Sequence, residues 1–371
     1  MKKLLLILIP ILLTGCNYIE LNDLAIATSI GVDYDNNTKN FKLTAQVMDT
    51  KTSEKGMEND TLVYEAEDKT LSSAINNFFI KNPKNIYFGH LEMCVLGSDA
   101  IKYKLDNIFD YFIRESSIKS SCYVLISKEK KANEILNPKN EQEKGFPAED
   151  LKKVLSDSTK KTGLINKITL EEFLSYELKK GIDPTLPTVI LKNDKTNSSK
   201  TVINGITTIK KNKINKNMNQ NQSIAFNTIN NNYESTNIII KYKDNYISFD
   251  ITNPKTNISA KVKNNKIKTN ININLEAHLS ETNKKISLTN KNTNEYFMRT
   301  INKTFKNYIK ELIIYNMENN TDNLGIKNII YKDNPKMYRK YKNVNPYNMD
   351  NINIKIKSNI YVHGNINKGA F

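Results

Sequence analysis

The sequence predicts a multi-domain α+β protein with mixed sheets and flanking helices, in which the C-terminal part is a strand meander packed on one long helix. Three observations lead to this prediction. The chain has 371 residues, more than one hydrophobic core ordinarily serves. Strand-like and helical periods alternate in the first half. The second half instead runs through strand-like segments to a single long helical period.

The segment 16–130 is predicted to form an N-terminal α+β domain. Its strand-like stretches are rich in β-branched residues, and its helical stretches carry apolar residues three or four positions apart. An Asp-Asn-Asn turn at 35–37 makes the first two strands a hairpin. The predicted elements are strands at 25–33 and 41–48, a helix at 71–79, a strand at 91–96, a helix at 101–112 and a strand at 122–126.

A middle, mainly helical subdomain is predicted over 131–196. Residues 137–150 have the composition of a loop, flanked by short helices. Thr169 followed three residues later by Glu172 fits a capping box at the start of a helix, which Gly181 ends. A short strand at 188–191 closes the subdomain, and the polar stretch 193–200 indicates a domain boundary.

The remaining segment, 197–371, is predicted to form a C-terminal α+β domain. Strand-like pieces with Asn-rich turns dominate it, and Ile271, Ile273, Leu275 and Ala277 alternate strictly with polar residues. The predicted strands are 201–209, 236–242, 246–251, 258–262, 271–277 and 352–362. A long helix is also predicted, with one apolar face formed by Phe297, Ile301, Phe305, Tyr308, Ile309, Leu312 and Ile313.

Composition and charge indicate the class of protein and the kind of surface that it contacts. Hydrophobic residues make up 39% of the chain and aromatic residues 9%, which excludes wholesale disorder. The formal net charge of +16 favours contact with an anionic surface, either phospholipid head groups or nucleic acid. A basic surface that is only solvated is the third interpretation.

The first residues have the pattern of a lipoprotein signal. Lys2 and Lys3 precede a short apolar run, about half as long as a helix that crosses a ~30 Å hydrocarbon core. The run ends in Leu13-Thr14-Gly15-Cys16, which resembles the bacterial lipobox. Cleavage is then expected between Gly15 and Cys16, after a diacylglyceryl group has been attached to the cysteine thiol. We predict that residues 1–15 are a signal peptide and that Cys16 anchors the chain on a membrane outside the cytoplasm.

The other two cysteines are predicted to be structural. Cys94 and Cys122 each lie inside an apolar run, with no short spacing to pin them together. A chain of this size does not need a disulfide to hold its fold. We therefore interpret both as separate buried thiols that act as small hydrophobic residues.

No catalytic or metal-binding motif stands out among the polar residues. The histidines His90, His278 and His363 lack partners at metal-binding spacing, and the nucleophile-elbow and phosphate-loop patterns are absent. Glu171 and Glu172 lie in the first turn of a predicted helix, where negative charge favours the helix dipole. We predict no catalytic residue, no metal and no cofactor apart from the covalent diacylglycerol.

Short motifs follow the lipid cysteine in a fixed order along the whole chain. They lie at 20–26, 29–33, 86–91, 95–97, 112–114, 204–205, 322–325 and 334–338. In this order they resemble the spore-germination lipoprotein family, the C subunits of nutrient germinant receptors in spore-forming Firmicutes (the Ger(x)C family). The family's usual tryptophans are missing, with tyrosines near both places. Because tyrosine keeps most of the apolar ring area, this difference concerns surface recognition more than fold.

The resemblance implies a lipid-anchored, non-enzymatic receptor subunit required for spore germination, on the outer face of the spore inner membrane. It implies integral-membrane A and B subunits as partners, and a germination-type domain at 197–371. Direct nutrient binding is left open. Two family-like stretches and one helix-end arginine are candidates for contact with these partners. The candidate residues are Glu20, Leu21, Asn22, Asp23, Tyr87, Gly89, His90 and Arg114.

Other interpretations accompany these assignments. His90 at a strand entrance also fits a residue that hydrogen-bonds its own turn, and Arg114 fits a cation at a helix C-terminus. The alternative functions are an exported solute-binding lipoprotein of a transporter and, third, an envelope hydrolase. A nucleic-acid partner is not expected, because an exported lipoprotein seldom meets one.

Overall fold

The computed structural model describes residues 24–49, 60–81, 84–137, 147–193, 199–282 and 286–361. These residues form two β-sheets with helices packed on them, which confirms the predicted α+β class. Each sheet has its own apolar core.

Nine strands form the first sheet. They are β1 (Leu24–Asp35), β2 (Asn40–Asp49), β3 (Asp60–Asp68), β4 (Asn85–Tyr87), β5 (Met93–Leu96), β6 (Tyr123–Ser127), β7 (Thr185–Asn193), β8 (Ser199–Lys210) and β9 (Lys213–Ile214). The spatial order is β3-β2-β1-β5-β6-β7-β8-β9, and β4 pairs in parallel with the start of β1. β1, β5, β6 and β7 are parallel, whereas the outer strands on both sides are antiparallel.

Helices cover both faces of this sheet. They are α1 (Leu71–Lys81), α2 (Ser98–Arg114), α3 (Ala132–Leu136), α4 (Pro147–Thr162) and α5 (Leu170–Leu178). α1, α2 and α5 pack on one face with Cys94, and α3 and α4 pack on the other with Met93. β1 is consequently buried on both faces from residue 27 to 34.

The first sheet extends past the predicted domain boundary. β7 belongs to the predicted middle subdomain and β8 to the predicted C-terminal domain, yet the two strands pair antiparallel over their whole length. The polar stretch at 193–200 therefore connects two neighbouring strands of one sheet. Periodicity identifies such strands, but it does not show which sheet they join.

The second sheet has four strands, β10 (Ser235–Tyr242), β11 (Asn245–Lys263), β12 (Lys266–Thr282) and β13 (Ile352–Tyr361). The first three form an antiparallel meander, and β13 lies parallel to β12. The helices of this domain are α6 (Gln220–Ile229), α7 (Lys291–Asn319), α8 (Ile326–Asp333) and α9 (Pro335–Tyr341), with a 3₁₀ turn at Met349–Asn351. Phe297, Ile301, Phe305, Ile309, Leu312 and Ile313 of α7 are all fully buried in the core, as the helical stripe predicts.

Several elements differ from the sequence-based expectation, including β3 and α6, which were not predicted. β11 is one long strand where two were predicted, and its register shifts between Thr252 and Lys255, on either side of Pro254. Proline cannot donate a ladder hydrogen bond, which explains why the strand irregularity lies there. The stretch around 331–342, for which no helix was predicted, contains α9.

Candidate functional site

The predicted anchor lies just before the described part of the chain. Gly15, Cys16 and the candidates Glu20, Leu21, Asn22 and Asp23 fall outside the described residues. Leu24, where β1 begins, comes eight positions after Cys16. An extended chain of eight residues spans at most about 28 Å. If Cys16 is anchored as the sequence predicts, the start of β1 is therefore held within that distance of the anchor.

Tyr87, Gly89 and His90 form one local unit beside the start of β1. Tyr87 ends β4, and its Cα lies opposite Ile26 of β1. The rings of Tyr87 and His90 meet edge to face with centroids 5.8 Å apart, and both side chains are exposed. A Cβ on Gly89 would lie 2.2 Å from the Tyr87 hydroxyl oxygen, so the absence of a side chain at 89 lets the phenol lie over the backbone.

Arg114 occupies the last turn of α2, as the sequence indicates. Its guanidinium contacts the Asp110 carboxylate one turn earlier at 2.9 Å, with both side chains largely exposed. This pairing lowers the pKa of the Asp110 carboxyl through the hydrogen bond and the positive charge. Exposed pairs of this kind contribute little to stability, so Arg114 remains a surface cation at a helix C-terminus.

We call the first sheet with its helices the first domain, and the second sheet with its helices the second domain. Sheet topology brings these candidates to one end of the first domain, which we call the anchor-side end. It is the end at which the parallel strands β1, β4, β5 and β6 begin. α2 connects β5 to β6, so its C-terminus with Arg114 returns to this end. The N–H of Lys119, in the loop after α2, donates to the carbonyl of Phe88 beside Tyr87.

The anchor-side end also exposes large apolar side chains. Ile80 near the C-terminus of α1 is 80% exposed, and Ile113 near the C-terminus of α2 is 56% exposed. Phe79 and Tyr87 are partly exposed there as well. Exposed large apolar groups gathered at one end of a domain are a feature of interaction surfaces.

A second cluster, which we call the domain clasp, joins residues 180–183 and Lys210 of the first domain to residues 320–328 of the second. The Asp183 carboxylate accepts a hydrogen bond from the Asp322 N–H at 2.6 Å. Lys210 Nζ donates to the Asn320 carbonyl, and Asn328 donates to the Lys180 carbonyl at 2.7 Å. The two domains are thus bound through backbone groups as well as side chains.

Asp322 organises the second-domain side of the clasp. Its carboxylate accepts from the N–H groups of Ile326 and Lys327 at the start of α8, at 2.9 and 2.8 Å. It also accepts from the Tyr347 hydroxyl at 2.8 Å. Burial raises the pKa of the Asp322 carboxyl, although all three of these hydrogen bonds act to lower it. The pKa of Tyr347 lies well above its ordinary value, because the hydroxyl is buried and faces the Asp322 charge.

The sequence motif at 322–325 therefore has a structural role that the sequence did not reveal. Asp183 and Tyr347 were likewise not singled out from the sequence. The only available signal was local: Gly181 and Pro184 flank Asp183 and indicate an ordered turn. Asp322, the hydrogen-bond partner of Asp183, lies 139 positions away, and no sequence pattern predicts contacts over such a separation.

Glu172, one of the two acidic residues in the first turn of α5, takes part in a helix cap. Thr169 and Glu172 form the predicted capping box at the start of α5. Among the described residues, no group of three or more His, Cys, Asp and Glu side chains is arranged to hold a metal ion.

Cys94 and Cys122 are buried free thiols, and burial raises the pKa of Cys122 to about 12. Within the described ranges, no helix is both long and apolar enough to cross a membrane.

Comparisons with known proteins agree with the resemblance. The family models described as "Spore germination protein N-terminal domain" and "Spore germination B3/ GerAC like, C-terminal" match residues 17–191 and 204–365. The chain is 21% identical over 384 residues to "Spore germination protein KC" of Bacillus subtilis (strain 168), covering 96% of this chain and 94% of that protein. Its fold resembles that in "Crystal Structure of the GerBC protein", with a TM-score of 0.56 and 17% identity over 90% of this chain and 97% of the other. The chain therefore belongs to the Ger(x)C family of spore germination proteins.

Proposed function

We propose that this protein is a lipid-anchored, non-enzymatic subunit of a nutrient germinant receptor, required for spore germination. A diacylglycerol thioether on Cys16 holds it at the outer face of the spore inner membrane. Its partners there are the membrane itself and the integral-membrane A and B subunits of the receptor.

One observation carries the proposal: the lipobox-like Leu13-Thr14-Gly15-Cys16 stands directly before a chain of this family. The first described strand begins eight positions after the cysteine, which leaves room for a short tether and for no further domain between Cys16 and β1. Two buried acyl chains, at about 0.8 kcal/mol per CH₂ group, keep a protein on a bilayer durably.

The mechanism that we propose is confinement beside the partners. A tethered body meets its membrane neighbours at a high effective concentration, so weak contacts suffice for assembly. The domain clasp supports this mechanism, because a contact made by the first domain then also positions the second. Tyr87, Gly89, His90 and Arg114 are the described candidates for these contacts, and all lie at the anchor-side end.

The architecture disfavours a solute-binding protein of a transporter, and one carboxylate at the start of α5 has a structural role. A transporter's solute-binding protein has two similar α/β lobes, whereas the second sheet here is a meander beside the single long helix α7. A hydrolase needs two carboxylates facing each other across a cleft. Glu172 is instead used in a helix cap.

Mass spectrometry of the natural protein tests the anchor. We expect the mature chain to begin at Cys16 with a diacylglyceryl adduct, and a Cys16→Ala protein to leave the membrane fraction and to reduce nutrient-triggered germination. Cys94→Ala is the matched control, since that thiol is buried and lies 78 positions after Cys16 in the sequence. An unmodified Cys16 with the leader still attached, or normal germination with a soluble Cys16→Ala protein, would refute the proposal.

A further inference from the structure

We propose that the anchor-side end of the first domain is itself a membrane-binding face, which inserts Ile80 and Ile113 into the surface of an anionic phospholipid bilayer. This inference rests on the proposed lipid anchor and adds an orientation of the body to it. The proposal names lipid as the occupant of the exposed apolar surface, for three reasons.

The first reason is position. β1 begins at the anchor-side end, so the chain from Cys16 enters the domain there. With the tether limited to about 28 Å, this end stays next to the bilayer. The turn at 36–39 lies at the other end of β1, about 40 Å away along a strand of twelve residues.

The second reason is exposure. Two helices end at the anchor-side end, and each leaves a branched apolar side chain largely in solvent near its last turn: Ile80 on α1 and Ile113 on α2. Phe79 and Tyr87 add partly exposed rings. Aromatic and aliphatic side chains of this kind enter the boundary between head groups and acyl chains.

The third reason is charge. From residue 70 to residue 91 the only Lys, Arg, Asp or Glu residues in the sequence are Lys81 and Lys84, one and four positions after Ile80. Arg114 follows Ile113 but is paired with Asp110 and followed by Glu115, so the excess of positive charge lies beside Ile80. Basic residues next to exposed apolar ones match a bilayer whose head groups are anionic.

The chain has no tryptophan, so a single introduced indole reports on one site alone. We would make Ile80→Trp and Ile113→Trp in the natural lipoprotein and reconstitute each in phosphatidylglycerol–phosphatidylcholine vesicles with brominated acyl chains. Asn37→Trp, in the exposed turn at the opposite end of β1, is the matched control. We expect bromine to quench the first two variants at least twofold and to leave Asn37→Trp unchanged.

The outcomes separate the orientation from the anchor. If the protein does not float with the vesicles, the anchor proposal fails. If it floats, but Ile80→Trp and Ile113→Trp are quenched no more than Asn37→Trp, the anchor stands and the membrane face is refuted. The face is also refuted as a lipid surface if the two sites respond only when membrane protein subunits are co-reconstituted, because the occupant is then a protein.

Discussion

Asp183 and Asp322 are joined in both directions across the domain boundary. The Asp183 carboxylate accepts the N–H of Asp322 at 2.6 Å, and the Asp183 N–H donates to the Asp322 carbonyl at 3.0 Å. The Asp322 side chain meanwhile holds α8 and Tyr347. One residue thus links the internal order of the second domain to its contact with the first.

Replacing Asp322 by alanine removes the acceptor of three hydrogen bonds in a site that is 1% exposed. The donors are left buried and unpaired, so we expect a loss of about 3 kcal/mol in the free energy of unfolding. Urea unfolding measures this loss. Asp333→Ala, at an exposed position at the end of α8, is the control and is expected to change stability by less than about 0.5 kcal/mol. Equal effects of the two substitutions would contradict the role of Asp322.

Asp322 also makes stability depend on pH in a predictable direction. Since its pKa is raised in the folded protein, the folded state binds more protons than the unfolded chain between the ordinary pKa of 3.8 and the raised value. The contribution of Asp322 to stability is therefore complete below 3.8 and is lost as the pH rises through the raised pKa.

Asp322→Asn removes this titration. We expect the stability difference between wild type and the Asp322→Asn variant to be largest near pH 3 and to shrink toward pH 7, as measured by urea unfolding at a series of pH values. A difference that grows with pH would show that the pKa is lowered instead.

Gly181 is predicted to be irreplaceable because of where its hydrogen atoms point. Its φ is +76°, and an added Cβ would lie 2.8 Å from the backbone carbon of Lys327. Gly181→Ala therefore combines backbone strain with a clash against backbone that cannot swing away, and we expect a cost of at least about 2 kcal/mol.

Gly205→Ala separates these two causes. Gly205 also has a positive φ, +119°, but the nearest atom to an added Cβ is 3.5 Å away. We expect Gly205→Ala to lower the melting temperature less than Gly181→Ala does. Equal melting temperatures of the two variants would show that the close approach to Lys327 is not the reason why position 181 needs glycine.

Gly89→Ala tests the close approach of the Tyr87 phenol. The neighbour that an added Cβ meets is the far end of an exposed, movable side chain, so we expect a small loss of stability, about 1 kcal/mol, and a displaced ring. A double-mutant cycle with Tyr87→Ala measures the coupling. The cost of Gly89→Ala is expected to vanish in the Tyr87→Ala background, and an unchanged cost there would place its origin elsewhere.

Thiol counting gives a simple chemical prediction. The chain has three cysteines, and burial raises the pKa of both Cys94 and Cys122. In the native protein we expect neither thiol to react with iodoacetamide at neutral pH, because the thiolate is the reactive form. Because Cys16 is proposed to carry a thioether, we expect two reactive thiols from the natural protein in guanidinium chloride. Three thiols would mean that Cys16 carries no thioether.

The elements that the sequence predicts best are those with one face buried in the core and the other face exposed to solvent. The alternation from Ile271 to Ala277 and the apolar stripe of α7 are both found buried as expected. β3 was missed because it lies at the sheet edge, where it alternates with charged residues such as Glu65 and Glu67, and only Ala66 is buried. An edge strand of this kind has no strong apolar pattern.

The candidate site shows the same division. Chain order alone led to Tyr87, Gly89, His90 and Arg114, but their common location follows only from the parallel pairing of β1 with β4 and β5. The domain clasp depends on hydrogen bonds between polar groups that are distant in sequence. Such bonds produce no regular pattern in the sequence from which they could be predicted.

The pairing of β8 with β7 has a consequence for how the chain matures. Synthesis proceeds from the N-terminus, so β7 has no neighbour on its outer side until β8, which ends at residue 210, has been made. Until then β7 presents a row of free backbone donors and acceptors that invites pairing with other chains. A chain that stops before residue 199 is for this reason expected to be prone to aggregation.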